Sequence, residues 1–201
     1  NPSDYGVVDP IEVAIYNTLV SYTNNYVVII DSGTYDAEQM TNEIQNKMNQ
    51  VVTNLLLGDT STLTDVQKDT YLAAGGYLDF IAAFNEVSRK LWIGNQKSSF
   101  ILTNTDTAKY EEETNICLCD GNDNVPTFKH WGLPGFLGFR RCNVNSSIPS
   151  DPKDARFYYR TVGDYDWIVA SSLAGAQAHY LTAPLQMNLN PNNYIYMEIK
   201  L

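Results

Sequence analysis

The chain has 201 residues, 44% hydrophobic and 18% charged, a globular composition that excludes a disordered polymer. Its formal net charge of -10 opposes wrapping around bare nucleic acid, because phosphate contact needs clustered Lys and Arg. Every apolar run falls short of the roughly 20 residues that a membrane helix needs, so no membrane span is expected.

Residues 1–10, with Pro2, Gly6 and Pro10, read as an irregular lead-in. The next stretch, IEVAIYNTLVSY, fits helix and strand alike. NNYVVII is rich in β-branched residues and bounded by Asp31-Ser32-Gly33, which predicts a strand ending in a turn at Gly33. The period then changes. Met40, Ile44, Met48, Val51, Val52 and Leu55 recur at helical spacing, with Glu38, Glu43, Gln45, Asn46 and Lys47 mostly between them. Asp36 as N-cap with Gln39 three residues later makes a capping-box pattern, so an amphipathic helix is predicted over 36–57, stopping at Gly58.

A polar connector follows, in which Thr62 or Thr64 caps a short second helix ending at Gly75-Gly76. LDFIAAF and KLWIGN, joined by NEVSR, predict a β-hairpin, and SSFILTN a third strand of the same meander. Residues 104–126 are polar and turn-rich. HWGLPGFLGFRR, with three glycines and a proline among aromatics, is too broken for a helix or a central strand. NVNSSIPSDPKD reads as loop, RFYYRTV and DWIVASSL as strands, and PLQMNLNPNNYIYMEIKL as a turn and a closing strand. The chain opens at Asn1 without a methionine or signal peptide, and its closing strand has no turn after it. The expectation is a piece of something longer.

Motifs for chemistry are incomplete. The turn at Gly33 lacks the second glycine and the lysine of a phosphate loop, and Asp36 stands where an anion would sit. His130 and His179 are the two histidines. Neither has a triad-like context, there is no Gly-x-Ser-x-Gly elbow, and lone histidines are more often structural. Cys117, Cys119, His130 and Cys142 suggest a zinc set, but Cys-x-Cys is tighter than the usual ligand gap; free buried thiols are the plainer reading. DGNDN at 120–124 begins like a calcium loop, yet Val125 and Trp131 stand where the EF-hand needs Gly and Glu. Asp164 and Asp166 would share a strand face as a glycosidase pair does, although two acids in a turn-rich stretch are commonplace. Asn145-Ser146-Ser147 is a glycosylation sequon, weak without a known compartment. The expectation is therefore a non-enzyme with no cofactor and no metal. The 14 Tyr suit subunit contacts, or simply the β-preference of Tyr.

Four segments, in order, carry a resemblance. They are a strand, turn and helix with Gly33, Tyr35, Asp36, Met40, Ile44, Gln45 and Asn49; a hairpin with Asn85, Lys90, Leu91 and Ile93; FLGF at 136–139; and the late strand YIYMEI at 194–199. Together the chain resembles minor capsid and vertex (penton-like) structural proteins of large icosahedral DNA viruses and virophages. The outline of most of the chain is covered; the connector from Gly58 to Tyr77 is longer than in that group, and Lys109 to Pro126 matches nothing.

The reading is an α+β fold, mainly antiparallel β-sheet with the long helix packed on it. An α+β domain would span 1–187, with a terminal strand at 188–201. The resemblance implies a jelly-roll-type β domain following at the C-terminal end, most of it beyond Leu201. It also implies a virion component present in many copies, with the major capsid protein and other minor capsid proteins as partners. The alternative reading is a surface carbohydrate- or receptor-binding β-rich module. For protein contacts the candidates are Trp131, Phe136, Phe139, Arg140 and Arg141, since aromatics beside Arg dominate interface hot spots. A buried loop with Leu133 and Phe136 packed inside the same domain stays equally open. Gly33 and Asp36 are assigned structural roles, as turn and cap.

Overall fold

The computed structural model describes Gly6 and residues 9–23, 25–103, 132–139, 143–148, 156–158, 165–167 and 177–189. Helix α1 (Pro10–Ser21) resolves the ambiguous first stretch. Asp9 caps it by accepting from the Ile11 amide at 2.9 Å, and Pro10 occupies the first turn, where a missing N–H costs nothing. Helix α2 (Ala37–Leu57) starts and stops where the sequence places it, and Gly58 is its C-cap. At its head the Gln39 amide donates to Asp36 Oδ1 at 2.7 Å. The Asp36 amide donates to Gln39 Oε1 at 3.0 Å, completing a capping box. Thr64 and Gln67 repeat the device at the head of helix α3 (Asp65–Ala73).

Strands β1 (Phe80–Asn85) and β2 (Lys90–Asn95) form the expected hairpin. Asn85 Oδ1 accepts from the Val87 and Ser88 amides, and Arg89 closes the loop at a positive φ of 57°. The third strand of this antiparallel sheet departs from the sequence reading. It is β7 (His179–Thr182), giving the order β1-β2-β7. The expected meander partner supplies only β3 (Ile101–Leu102), which pairs instead with β4 (Val144–Asn145), inside a stretch read as loop. Residues 96–100 separate it from β2, and its two residues pair elsewhere, so a distant strand takes the place beside β2. The one-turn helix α4 (Gly132–Phe136) stands where the glycines suggested none. Strands β5 (Arg156–Tyr158) and β6 (Tyr165–Trp167), in stretches read as strands, pair with each other, a pairing the sequence reading did not name. No jelly roll is present among the described residues. Of the terminal strand expected at 188–201, residues 190–201 lie outside them, as do Cys117, Cys119, His130, Cys142 and Asp164.

Alternation along the strands sends Ala82, Leu91, Ile93 and Leu181 to one face of the sheet, where Met40, Ile44 and Met48 of α2 meet them. The buried helix stripe is Met40, Ile44, Met48, Val52 and Leu56, every fourth residue. Val51 and Leu55, assigned to the stripe by spacing, are only half-buried. Val52 and Leu56 extend it into a second cluster with Ile15 of α1, Leu63 and Tyr77. Burying each large side chain of this kind contributes about 1.5–3 kcal/mol before entropy is charged.

One position beyond the apolar stripe, α2 carries a polar one. The Ala82 amide donates to Gln45 Oε1 at 2.9 Å, and the Phe80 amide donates to Asn49 Oδ1 at 3.0 Å. Asn49 Nδ2 donates to the Phe80 carbonyl at 2.9 Å, and the Tyr77 amide donates to Thr53 Oγ1 at 2.9 Å. These backbone groups lie on the edge of β1 turned away from β2. Side chains of the helix thus take the place of a neighbouring strand and satisfy groups that are costly to leave unpaired.

Candidate functional site

The loop proposed as a contact surface is bound tightly into the domain. The Leu137, Gly138 and Phe139 amides donate to the Leu133, Gly135 and Pro134 carbonyls, rounding off α4. The Leu185 amide then donates to the Gly138 carbonyl at 3.0 Å, and the Asn188 amide to the Phe136 carbonyl at 2.8 Å. Gly138 has a φ of +87°, and a Cβ there would strike the Leu185 carbonyl, so only glycine fits. The Leu-Gly-Phe sequence is therefore a docking point between two segments of one chain.

This corrects one contact candidate. Phe139 is 1% exposed and sits in the main core with Leu137, so it offers no surface to a partner in this conformation. Its apolar ring is held inward by the three-bond turn that precedes it. Phe136 is half-buried, while Trp131, Arg140 and Arg141 lie outside the described residues. Gly33 sits at the bend before α2 with a Cβ position 3.3 Å from the Tyr35 ring, and the Tyr35 hydroxyl donates to the Asp31 carbonyl at 2.9 Å. Asp36 caps α2 as described above.

The end of the sheet nearest α1 holds a polar network. Buried Asn95 donates through Nδ2 to the Tyr77 hydroxyl at 2.9 Å, and its Oδ1 accepts from the Lys97 and Ser98 amides. Burial pushes the Tyr77 phenol well above the usual tyrosine range, with the Asn95 bond acting the other way. Lys97 Nζ bridges Asp79 Oδ2 at 3.1 Å and Glu12 Oε1 at 3.3 Å, tying α1 to the start of β1. His179 stands opposite Asn95 on β7, and burial lowers its pKa below the ordinary value. Its Nδ1 is buried without a hydrogen-bond partner. Burial and the orphaned Nδ1 both disfavour the charged imidazolium there. Asp166 lies in β6. Among the described residues no three His, Cys, Asp or Glu side chains are grouped to hold a metal, and no helix is long and apolar enough to cross a membrane.

The segment NNYVVII, read from its sequence as a strand, is assigned no strand: no backbone hydrogen bond joins Tyr26 to Ile30 to another described residue. Val28 and Ile30 pack against the main core, whereas Val27 and Ile29 are each 69% exposed. At its end Asp31 Oδ2 accepts from Lys47 Nζ of α2 at 2.9 Å. The in-and-out alternation of a strand is there, but no β-pairing accompanies it among the described residues. No family model, no curated protein and no solved structure matches the chain.

Proposed function

We propose that the protein is a non-enzymatic virion structural component, a minor capsid or vertex protein that cements major capsid units in the icosahedral shell of a large DNA virus. The observation that carries this reading is the use made of the residues in the resemblance. Asp36 caps, Met40 and Ile44 fill the core, Gln45 and Asn49 seal β1, Leu91 and Ile93 face the helix, and Gly138 locks two loops. Every one serves a rigid platform, and none aims a reactive group into a cleft. An acidic, well-braced platform with the exposed apolar side chains of Val27 and Ile29 on its surface suits a part that holds shape and presents faces to neighbours.

The partners are the major capsid protein and other minor capsid proteins, with many copies per particle. Co-expression with those proteins and purification of assembled particles tests the reading. The wild-type chain is expected to co-purify at a fixed stoichiometry, and its absence from particles would remove the proposal. The Arg140→Glu/Arg141→Glu pair is expected to reduce incorporation several-fold through lost charge complementarity. Normal incorporation of that pair would remove those arginines from the contact while leaving the capsid reading in place.

A further inference from the structure

We propose that Asn145 is an acceptor for an N-linked glycan, whose first sugar covers the exposed side chain of Ile101. The sequence supplies the signal. Asn145-Ser146-Ser147 is the one Asn-x-Ser/Thr in the chain with a residue other than proline in the middle; Asn1-Pro2-Ser3 is barred by its proline. Sequons of this kind occur by chance, so the placement of the residues decides whether this one is usable. Strand β4 and the two residues after it are fixed by pairing on both sides. The Ser146 amide donates to the Phe100 carbonyl at 2.9 Å, and the Phe100 amide donates to Ser146 Oγ at 2.7 Å. On the other side Ser147 and Tyr180 exchange both backbone bonds at 2.9 Å. Side chains alternate along such a run. Val144 packs against the main core and Ser146 is half-buried, whereas Asn145 and Ser147 are exposed. The carboxamide that takes the sugar and the hydroxyl that a transferase reads thus share one solvent-facing side.

Ile101 supplies the second observation. It stands directly opposite Asn145 in the β3–β4 ladder, and it is 60% exposed. Residues opposite one another in an antiparallel pair have Cβ atoms about 4.5–5.5 Å apart on the same face. A sugar ring joined to Asn145 therefore lies within reach of the Ile101 side chain, and its C–H face removes that apolar surface from water. In the transfer, Asn145 Nδ2 bonds to the anomeric carbon of an oligosaccharide carried on a lipid pyrophosphate. The bond from that carbon to the pyrophosphate oxygen breaks, the lipid pyrophosphate leaves, and Nδ2 gives up one proton to the transferase. The bulky, hydrated product turns the β3–β4 face toward solvent, in a capsid or outside one, so the proposal stands apart from the capsid reading.

The test uses the full chain, made behind a cleavable secretion signal in eukaryotic cells, whose secretory membranes hold the lipid-linked oligosaccharide. Intact-mass measurement before and after N-glycosidase F, which converts a glycosylated Asn to Asp, reads the site in secreted and cell-retained chain alike. A glycan at Asn145 is expected, lost in Asn145→Gln and in Ser147→Ala. Thermal unfolding reads the contact. The glycosylated chain is expected to unfold at a higher temperature than Asn145→Gln, and that gap should shrink by at least about half in an Ile101→Ser background. Unmodified Asn145 in the wild-type chain, or a glycan that survives either sequon substitution, would overturn the acceptor assignment. A glycosylated chain that unfolds at or below the temperature of Asn145→Gln, or a gap that Ile101→Ser leaves unchanged, would overturn the placement over Ile101.

Discussion

Asn49 shows how much one side chain can determine. It is 8% exposed, and its amide both donates to and accepts from the backbone of Phe80. Asn49→Leu keeps the volume and strands both backbone groups beneath the helix. A loss of about 2–4 kcal/mol is expected in urea unfolding, from one unsatisfied donor and one unsatisfied acceptor. His179 gives a prediction in pH. Its folded pKa lies below the unfolded value, so between the two the unfolded chain binds more protons and stability rises with pH. The contribution is complete above the ordinary histidine pKa of 6.5 and is lost as pH falls below it. His179→Gln should flatten the slope of stability just below pH 6.5; an unchanged slope would assign that dependence to other groups. The sequence reading assigned neither role: Asn49 entered it only through the resemblance, and which residue faces His179 depends on a pairing partner more than 80 positions away.

Among the elements, local signals proved legible wherever the physics is local. The capping box, the apolar period of α2, the Gly58 stop and the Asn85–Arg89 hairpin loop all depend on residues within a few positions of one another. Pairing across long separations was not legible. SSFILTN has strand composition, but nothing in it says that its partner is Val144–Asn145 or that β7 takes its expected place. The phase of α2 was legible to within one residue, and that margin decides energies. Met48→Ala, inside the core, should cost about 2–4 kcal/mol, whereas Val51→Ala, half-buried and outside both clusters, should cost about 1 kcal/mol or less. Equal losses in thermal or urea unfolding would restore the stripe as the spacing first suggested. The polar companion stripe had a signal too: Gln45, Asn49 and Thr53 follow the apolar residues by one position at the same interval of four. Amides at that offset mark a helix that seals a strand edge.

Taken whole, the described domain is a sheet with one face against α2 and one edge closed by that helix. The candidate surface was less legible than the fold, because exposure is a property of the assembled molecule. Phe139 has the composition of a contact residue and the position of a core residue. Helix α3 has the reverse character. It buries none of its residues, yet it stands in a connector whose ends are held independently. On one side the Thr62 amide donates to Thr18 Oγ1 and the Thr62 hydroxyl to the Ala14 carbonyl; on the other the Tyr77 amide donates to Thr53. The register of β1 against α2 is thus written in side chains and owes nothing to the length of chain between them. That makes the head of α3 a natural attachment point: a fluorophore or a small affinity tag carried at exposed Val66 would keep clear of Tyr71, the α3 residue that packs on the second core cluster.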